Sequence, residues 1–252
     1  MAHIFRGLGS KGLTALLLAV AALAATPAQA SVLSAQWFTI SSANPDTDLT
    51  ITGVVAGLVD PTLGPNGLPV RSAFSAGEPS GSSTNLKDIS LITGELQWWT
   101  PSATVSPDAF YPTTVSIPFS VTSNLFPGGA SSNGGTNGFT SAHFFGSFSI
   151  PAPGSITLNL GSDDDAWVFI DGNLVVDNGG VHGLVIAPTT TGSLTAGTHT
   201  IDVFFADRHI VQSGLAFDAS VSFVPAAVPE PATIALLGLA LAGLGFARRK
   251  LH

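Results

Sequence analysis

Between Ser31 and Val224 the chain alternates short apolar runs with stretches rich in Gly, Pro, Asn and Ser. The runs are Val32 to Ile40, Leu49 to Val55, Ile89 to Trp98, Thr113 to Val121, His143 to Ile150 and Ser155 to Leu160, followed by Trp167 to Ile170, Leu174 to Val176, Thr198 to Ala206 and Leu215 to Val224. Runs of this length bounded by turn formers predict an antiparallel sandwich or barrel. Ile201, Val203 and Phe205 fall at every second position, and Leu215, Phe217, Ala219, Val221 and Phe223 do so more cleanly. That is the spacing of strands with one buried face. Trp167 to Ile170 is apolar throughout, as in a strand buried on both faces, and Asp171-Gly172-Asn173 after it has the composition of a tight hairpin turn. No segment here sustains a helical stripe. The expectation is an all-β, antiparallel, jelly-roll-like β-sandwich forming a single domain over 31–225. Trp167, Phe169, Val175, Val203, Phe205 and Phe217 should lie in or near its core.

The two ends carry a different pattern. Arg6 and Lys11 precede an apolar stretch, Leu13 to Ala25, and Ala28-Gln29-Ala30 is a small-x-small cleavage site. Residues 1–30 therefore read as a signal peptide, with the mature chain starting at Ser31. At the other end Pro229-Glu230-Pro231 precedes an apolar run of 16 residues, Ala232 to Ala247, and Arg248, Arg249 and Lys250 follow it. The run is just short of the ~17–25 residues of a usual transmembrane helix. The basic cluster predicts transient inner-membrane anchoring with the domain outside. Pro-Glu-Pro, a short membrane helix and a terminal Arg cluster resemble the PEP-CTERM sorting signal, here 228–252. The resemblance implies that signal peptidase and then a membrane-bound exosortase process the chain, which reaches the cell surface or extracellular matrix.

Charge narrows the function classes. The stretch from Ser31 to Val228 holds three basic residues, Arg71, Lys87 and Arg208, against 15 acidic ones, a formal charge of −12. A domain this acidic repels phosphates, which excludes nucleic acid as a partner, and it suits cation binding and solubility at an outer surface. There is no cysteine, so disulfides, thiolate metal sites and cysteine catalysis are all excluded.

The chemistry concentrates in Ser162 to Gly183, SDDDAWVFIDGNLVVDNGGVHG. Asp163, Asp164 and Asp165 are adjacent like charges, which need a compensator. The stretch resembles the fibro-slime domain, a relative of the protective-antigen-type, flocculin-like β-sandwich. The fibro-slime pattern is D-D-D-x-W-V-F-I-D-G, then D-x-G-G-x-H, then F-x-A-E-R-H. Here these are Asp163 to Gly172, Asp177 to His182, and Phe204 to His209, with Asp207 in place of Glu. The motif core covers 162–222.

The resemblance implies that Asp163 and Asp164 are joined by a cis peptide and coordinate calcium; Asp165, beside them, is a further calcium candidate. Asp177, Asp207, His182 and His209 are weaker metal candidates. Without the resemblance, the same aspartates would cap turns and the histidines would bond loop carbonyls. In a structural role, Arg208 would pair with Asp171 or Asp177. Trp98 and Trp99 are candidate sugar-stacking residues. Neighbours in a strand point to opposite faces, so one of the two belongs to the core. The tracts 60–78 and 127–138 are surface loops or binding insertions. Adjacent aspartates point to a shared metal more than to a glycosidase pair, and there is no G-x-S-x-G elbow or phosphate loop. The expected function is an exported, calcium-dependent carbohydrate-binding or adhesion module and not an enzyme. A structural biofilm-matrix protein is the second reading and a glycan-acting hydrolase the third.

Overall fold

The structure, a computed structural model, describes residues 31–226. The expected signal peptide with Ala28 and Ala30, and the expected membrane helix over 232–247, lie outside the described residues. Among those described, no helix is long and apolar enough to cross a membrane.

The chain runs β1 (Val32–Ile40), a short helix α1 (Ala73–Gly77), β2 (Val105–Pro107), β3 (Thr114–Ser116) and β4 (Phe119–Val121). A 3-10 turn over Pro127–Gly129 leads into β5 (Phe139–Ile150), β6 (Thr157–Asp163), β7 (Asp165–Ile170) and β8 (Asn173–Asn178). The described residues close with β9 (Val185–Thr190), β10 (Gly197–Ala206), β11 (Gly214–Ala219) and β12 (Val224–Pro225). The larger sheet has the order β2-β1-β5-β10-β7-β8, with β3 also beside β1 and β12 beside β5. The smaller has the order β4-β11-β6-β9. The fold is an all-β antiparallel sandwich.

The main core fills the space between the sheets. Phe144, Val168, Val203 and Phe205 reach it from the larger sheet, and Leu158, Leu160, Leu215 and Phe217 from the smaller. The larger sheet is also covered on its outer face. All six residues of β7 are buried, because Trp167 and Phe169 point away from the sandwich into a second core. Leu58, Leu86, Leu96, Trp98 and Trp99, from the largely irregular segment between β1 and β2, complete that core. This three-layer build explains the uninterrupted apolar run in β7. The hairpin after it matches its sequence: Ile170 pairs with Asn173, and both turn residues have positive φ, 50° at Asp171 and 74° at Gly172. A register shift after Val168 places Val176 opposite Val168 and Leu174 opposite Phe169, so Val175 is the extra, bulged residue. It is only half-buried and packs against the core.

Four expected strands are corrected. Leu49 to Val55 is irregular and bonds through its backbone to Gly179 and Val181. Ile89 to Trp98 forms only isolated bridges, with Leu91 and Ile92 almost fully exposed at its turn. Thr113 to Val121 divides at Ile117–Pro118 into β3 and β4, which join different sheets, and the last run stops at Ala219 and resumes at Val224. In the first two the apolar residues serve an irregular covering layer, so their composition resembles that of a strand without a ladder to join.

Candidate functional site

Two connections between the sheets lie side by side at one end of the sandwich. The chain passes from β6 to β7 at Asp163–Asp165, and from β10 to β11 through 207–213. Pairing fixes their neighbourhood: Asp163 lies opposite Gly214, and Asp165 opposite Ala206. Asp163, Asp164, Asp165 and Asp207 are thereby gathered with Arg208, and all five are buried. The Asp163–Asp164 peptide is cis.

The four carboxylates are not equivalent. Asp165 has the same parity as Trp167, so it points under the irregular layer. Its Oδ2 accepts from Arg208 Nε at 2.7 Å and its Oδ1 from the Gly180 amide at 2.6 Å. The Arg208 guanidinium also donates to the carbonyls of Asp46 and Ser83 and lies 5.0 Å from the Trp98 ring centroid. Arg208 thus pairs with Asp165, not with Asp171 or Asp177, and Asp165 is a structural partner with both oxygens engaged.

Asp164 accepts from the amides of His182 at 2.9 Å and Arg208 at 2.8 Å. Burial, and then the charge of Asp165, still hold its carboxyl above the ordinary range. Asp163 accepts no hydrogen bond from the described residues. Burial, followed by the charge of Asp164, pushes it up to about 6. Asp207 is raised well above the usual carboxylate value by burial and by Asp164, although it accepts from the His209 amide and from Asn133 Nδ2.

Asn133 was not marked by the sequence. It comes from the Gly- and Ser-rich tract before β5, where nothing in the pattern separates it from Asn137. Its Nδ2 faces three acceptors, Asp207 Oδ2 at 2.8 Å, the His209 carbonyl at 2.6 Å and the Gln212 carbonyl at 2.8 Å. An amide nitrogen has only two hydrogens to give. Its buried Oδ1 has no partner. This end of the sandwich is rich in carboxylate oxygens and short of positive charge, with Arg208, whose Nη2 is itself buried without a partner, as its one guanidinium.

Of the weaker candidates, Asp207 belongs to the cluster, His182 and His209 border it through their backbone amides, and Asp177 lies away from it. Asp177 is on the outer face, where it accepts from Trp167 Nε1 at 2.9 Å and the Gly57 amide at 2.7 Å. Both ring nitrogens of His182 face backbone carbonyls, those of Gly183 and Asn178. His209 Nδ1 accepts from the Val211 amide at 3.3 Å. Trp98 and Trp99 are both buried, at 0% and 4% exposure. Their indole nitrogens donate to Asp46 and to the Phe205 carbonyl. Neither is an open stacking platform, because neither lies in a strand and both fill the second core. Among the described residues, no three His, Cys, Asp or Glu side chains form a ready metal set by themselves.

The PA14 domain model matches residues 102–231, just over half the chain. The chain belongs to the PA14 domain family. The PEP-CTERM protein-sorting motif matches residues 227–250, after the PA14 fold's last described strand. The PA14 chain is similar to protein psiB of Dictyostelium discoideum, 41% identical over 69 residues, which are 26% of this chain and 12% of psiB. It is similar to psiE of the same organism, 37% identical over 68 residues, 26% of this chain and 14% of psiE. The matches therefore span about an eighth of those relatives. Among solved structures, a PA14 sugar-binding domain from an RTX adhesin aligns at 16% identity over 34% of this chain and 48% of its own, with a TM-score of 0.31. The PA14 domain of the antifreeze protein MpAFP aligns at 13% identity over 80% and 96%, with a TM-score of 0.35.

Proposed function

We propose that this PA14 protein is an exported surface or matrix module of the fibro-slime form that binds carbohydrate through calcium held at the acidic end of the sandwich. The observation that carries the reading is the mismatch at that end. Asp163, Asp164 and Asp207 are buried with raised pKa values, and the single guanidinium nearby is taken by Asp165. A hard cation with oxygen ligands is the chemical complement of such a set. Asp163 and Asp164 with the Asn133 Oδ1 would hold it, Asp207 would close on it as a further ligand, and water or sugar hydroxyls would fill the remaining positions. Bound calcium supplies a Lewis-acidic centre for vicinal hydroxyls. Ile210 and Val211, 51% and 59% exposed on the same connection as Asp207, offer an apolar wall for a sugar ring. The sorting motif supports the exported part of this reading. Processing by signal peptidase and exosortase, with a transiently membrane-anchored precursor, belongs to this proposal. No catalytic role is assigned to the acidic residues.

The pH dependence has a definite sign. A carboxyl whose folded-state pKa is raised binds more protons folded than unfolded, so stability falls as pH rises from its ordinary value through the raised one. For Asp163 that window runs from 3.8 to about 6. Without a divalent cation the protein should therefore lose stability across this window, and calcium should restore it above the window. A glycan array in calcium and in chelator, paired with melting curves at pH 5 and pH 7.5, tests this. Calcium should raise Tm and support glycan binding at the higher pH, and both effects should fade at the lower one. An array on which no glycan binds more strongly in calcium than in chelator would contradict the calcium-bridged reading.

A further inference from the structure

A second binding surface lies where the irregular layer stops short of covering the larger sheet. β1 is bordered by β2 only at Phe38–Ile40 and by β3 only at Val32–Ser34. Between them the chain bulges away through 108–113. Two adjoining cavities, of about 530 and 440 Å³, open here and share Gln36 and Trp99 in their linings. Each falls within the usual ~300–1,000 Å³ of small-molecule sites.

The lining is amphipathic and rigid. Gln36 lies directly opposite His143 on β5. His143 bonds Asp202 at 2.8 Å and is stacked between Phe145 and Phe204, with ring centroids 4.8 and 4.2 Å away. Tyr111 walls the other cavity and is stacked on Trp37. Glu95 is fully buried, which raises its pKa, but it accepts from Thr93 and Asn66, which together bring it below its ordinary value, so it fixes the far wall as an already satisfied group. The Gln36 side chain makes no hydrogen bond among the described residues, and Gln97 uses only its Nε2, toward the Glu95 carbonyl. Neither cavity is lined by Lys or Arg.

We propose that this trough is a second, calcium-independent glycan site that takes a neutral oligosaccharide. The free amide of Gln36 and the unused Oε1 of Gln97 match sugar hydroxyls, and Phe145 and Tyr111 match the apolar faces of the rings. The absence of cationic lining, with Glu95 and Asp108 present, disfavours uronates and other polyanions. A peptide added as a strand is disfavoured too, because the bulge already occupies that edge. The Ala35 amide donates to the Thr113 carbonyl and the Asp108 amide to the Trp37 carbonyl. Two sites on one domain would let a single molecule bridge two polysaccharide chains, with the avidity that linkage gives.

The test uses the full chain in chelator, titrated with neutral oligosaccharides of α- and β-linked glucose, galactose and mannose. Oligogalacturonate is the acidic control. Binding is read by calorimetry and by tryptophan fluorescence, to which Trp99 contributes from the trough wall. At least one neutral oligosaccharide should bind, and Gln36→Ala with Gln97→Ala should weaken it about tenfold, as expected for one or two lost hydrogen bonds. Asp163→Asn should leave that binding unchanged, which separates the trough from the calcium site. Absence of binding across the whole neutral panel in chelator would overturn the proposal. So would binding that the double glutamine variant leaves intact, or binding that Asp163→Asn removes. Preference for oligogalacturonate would overturn the neutral assignment.

Discussion

Arg208→Ala is expected to cost ~3–5 kcal/mol of folding stability. The side chain is fully buried, and its guanidinium supplies the ion pair to Asp165, two hydrogen bonds to carbonyls of the outer layer and the cation lying over Trp98. Removing it leaves the Asp165 carboxylate buried without its counter-charge, beside three further acids that lack one. The double change Arg208→Met with Asp165→Leu should recover much of the loss, since an apolar pair needs no charge compensation. Urea unfolding of both variants measures this. A loss below ~1 kcal/mol for Arg208→Ala would mean that water reaches the pair and that the outer layer does not seal it.

Phe205→Ala should cost a similar ~3–5 kcal/mol. Phe205 is fully buried in the core between the sheets. Its neighbour Phe204 is fully buried on the opposite face, edge-on to Trp99 and Phe169. Phe204→Ala should therefore be comparably destabilising. A strand with one solvent face would give one large and one small loss. If Phe205→Ala costs less than ~1 kcal/mol, the strand is shifted by one residue and its faces are exchanged.

The contrast between these residues shows what the sequence made legible. The Ile201, Val203, Phe205 alternation identifies the inner face of β10, because period two is a local property of a strand. The four apolar residues of Trp167 to Ile170 signal burial on both faces, and the Asp-Gly turn gives the hairpin. The acidic cluster is legible because Asp163, Asp164 and Asp165 are adjacent. Their division of labour is not. Which carboxylate takes Arg208 depends on strand parity across the cis connection and on a covering layer contributed from about 120 residues earlier. Asn133 arrives from a Gly-rich tract whose path is set by tertiary contacts. Trp98 and Trp99 are read as a strand pair only if a strand exists there. In the folded chain they pack as the lid over Trp167, with ring centroids 6.1 and 6.4 Å from it.

Calcium titration calorimetry tests the central claim most directly. The unsubstituted chain at pH 7.5 should bind calcium at or below millimolar concentration. Magnesium should substitute poorly, since it demands a tighter octahedron and gives up water reluctantly. Asp163→Asn and Asp207→Asn should each abolish or strongly weaken the calcium heat, and Asp60→Asn, in the outer layer, should not. No calcium heat from the unsubstituted chain at millimolar concentration would contradict the account, as would a calcium response that survives Asp163→Asn.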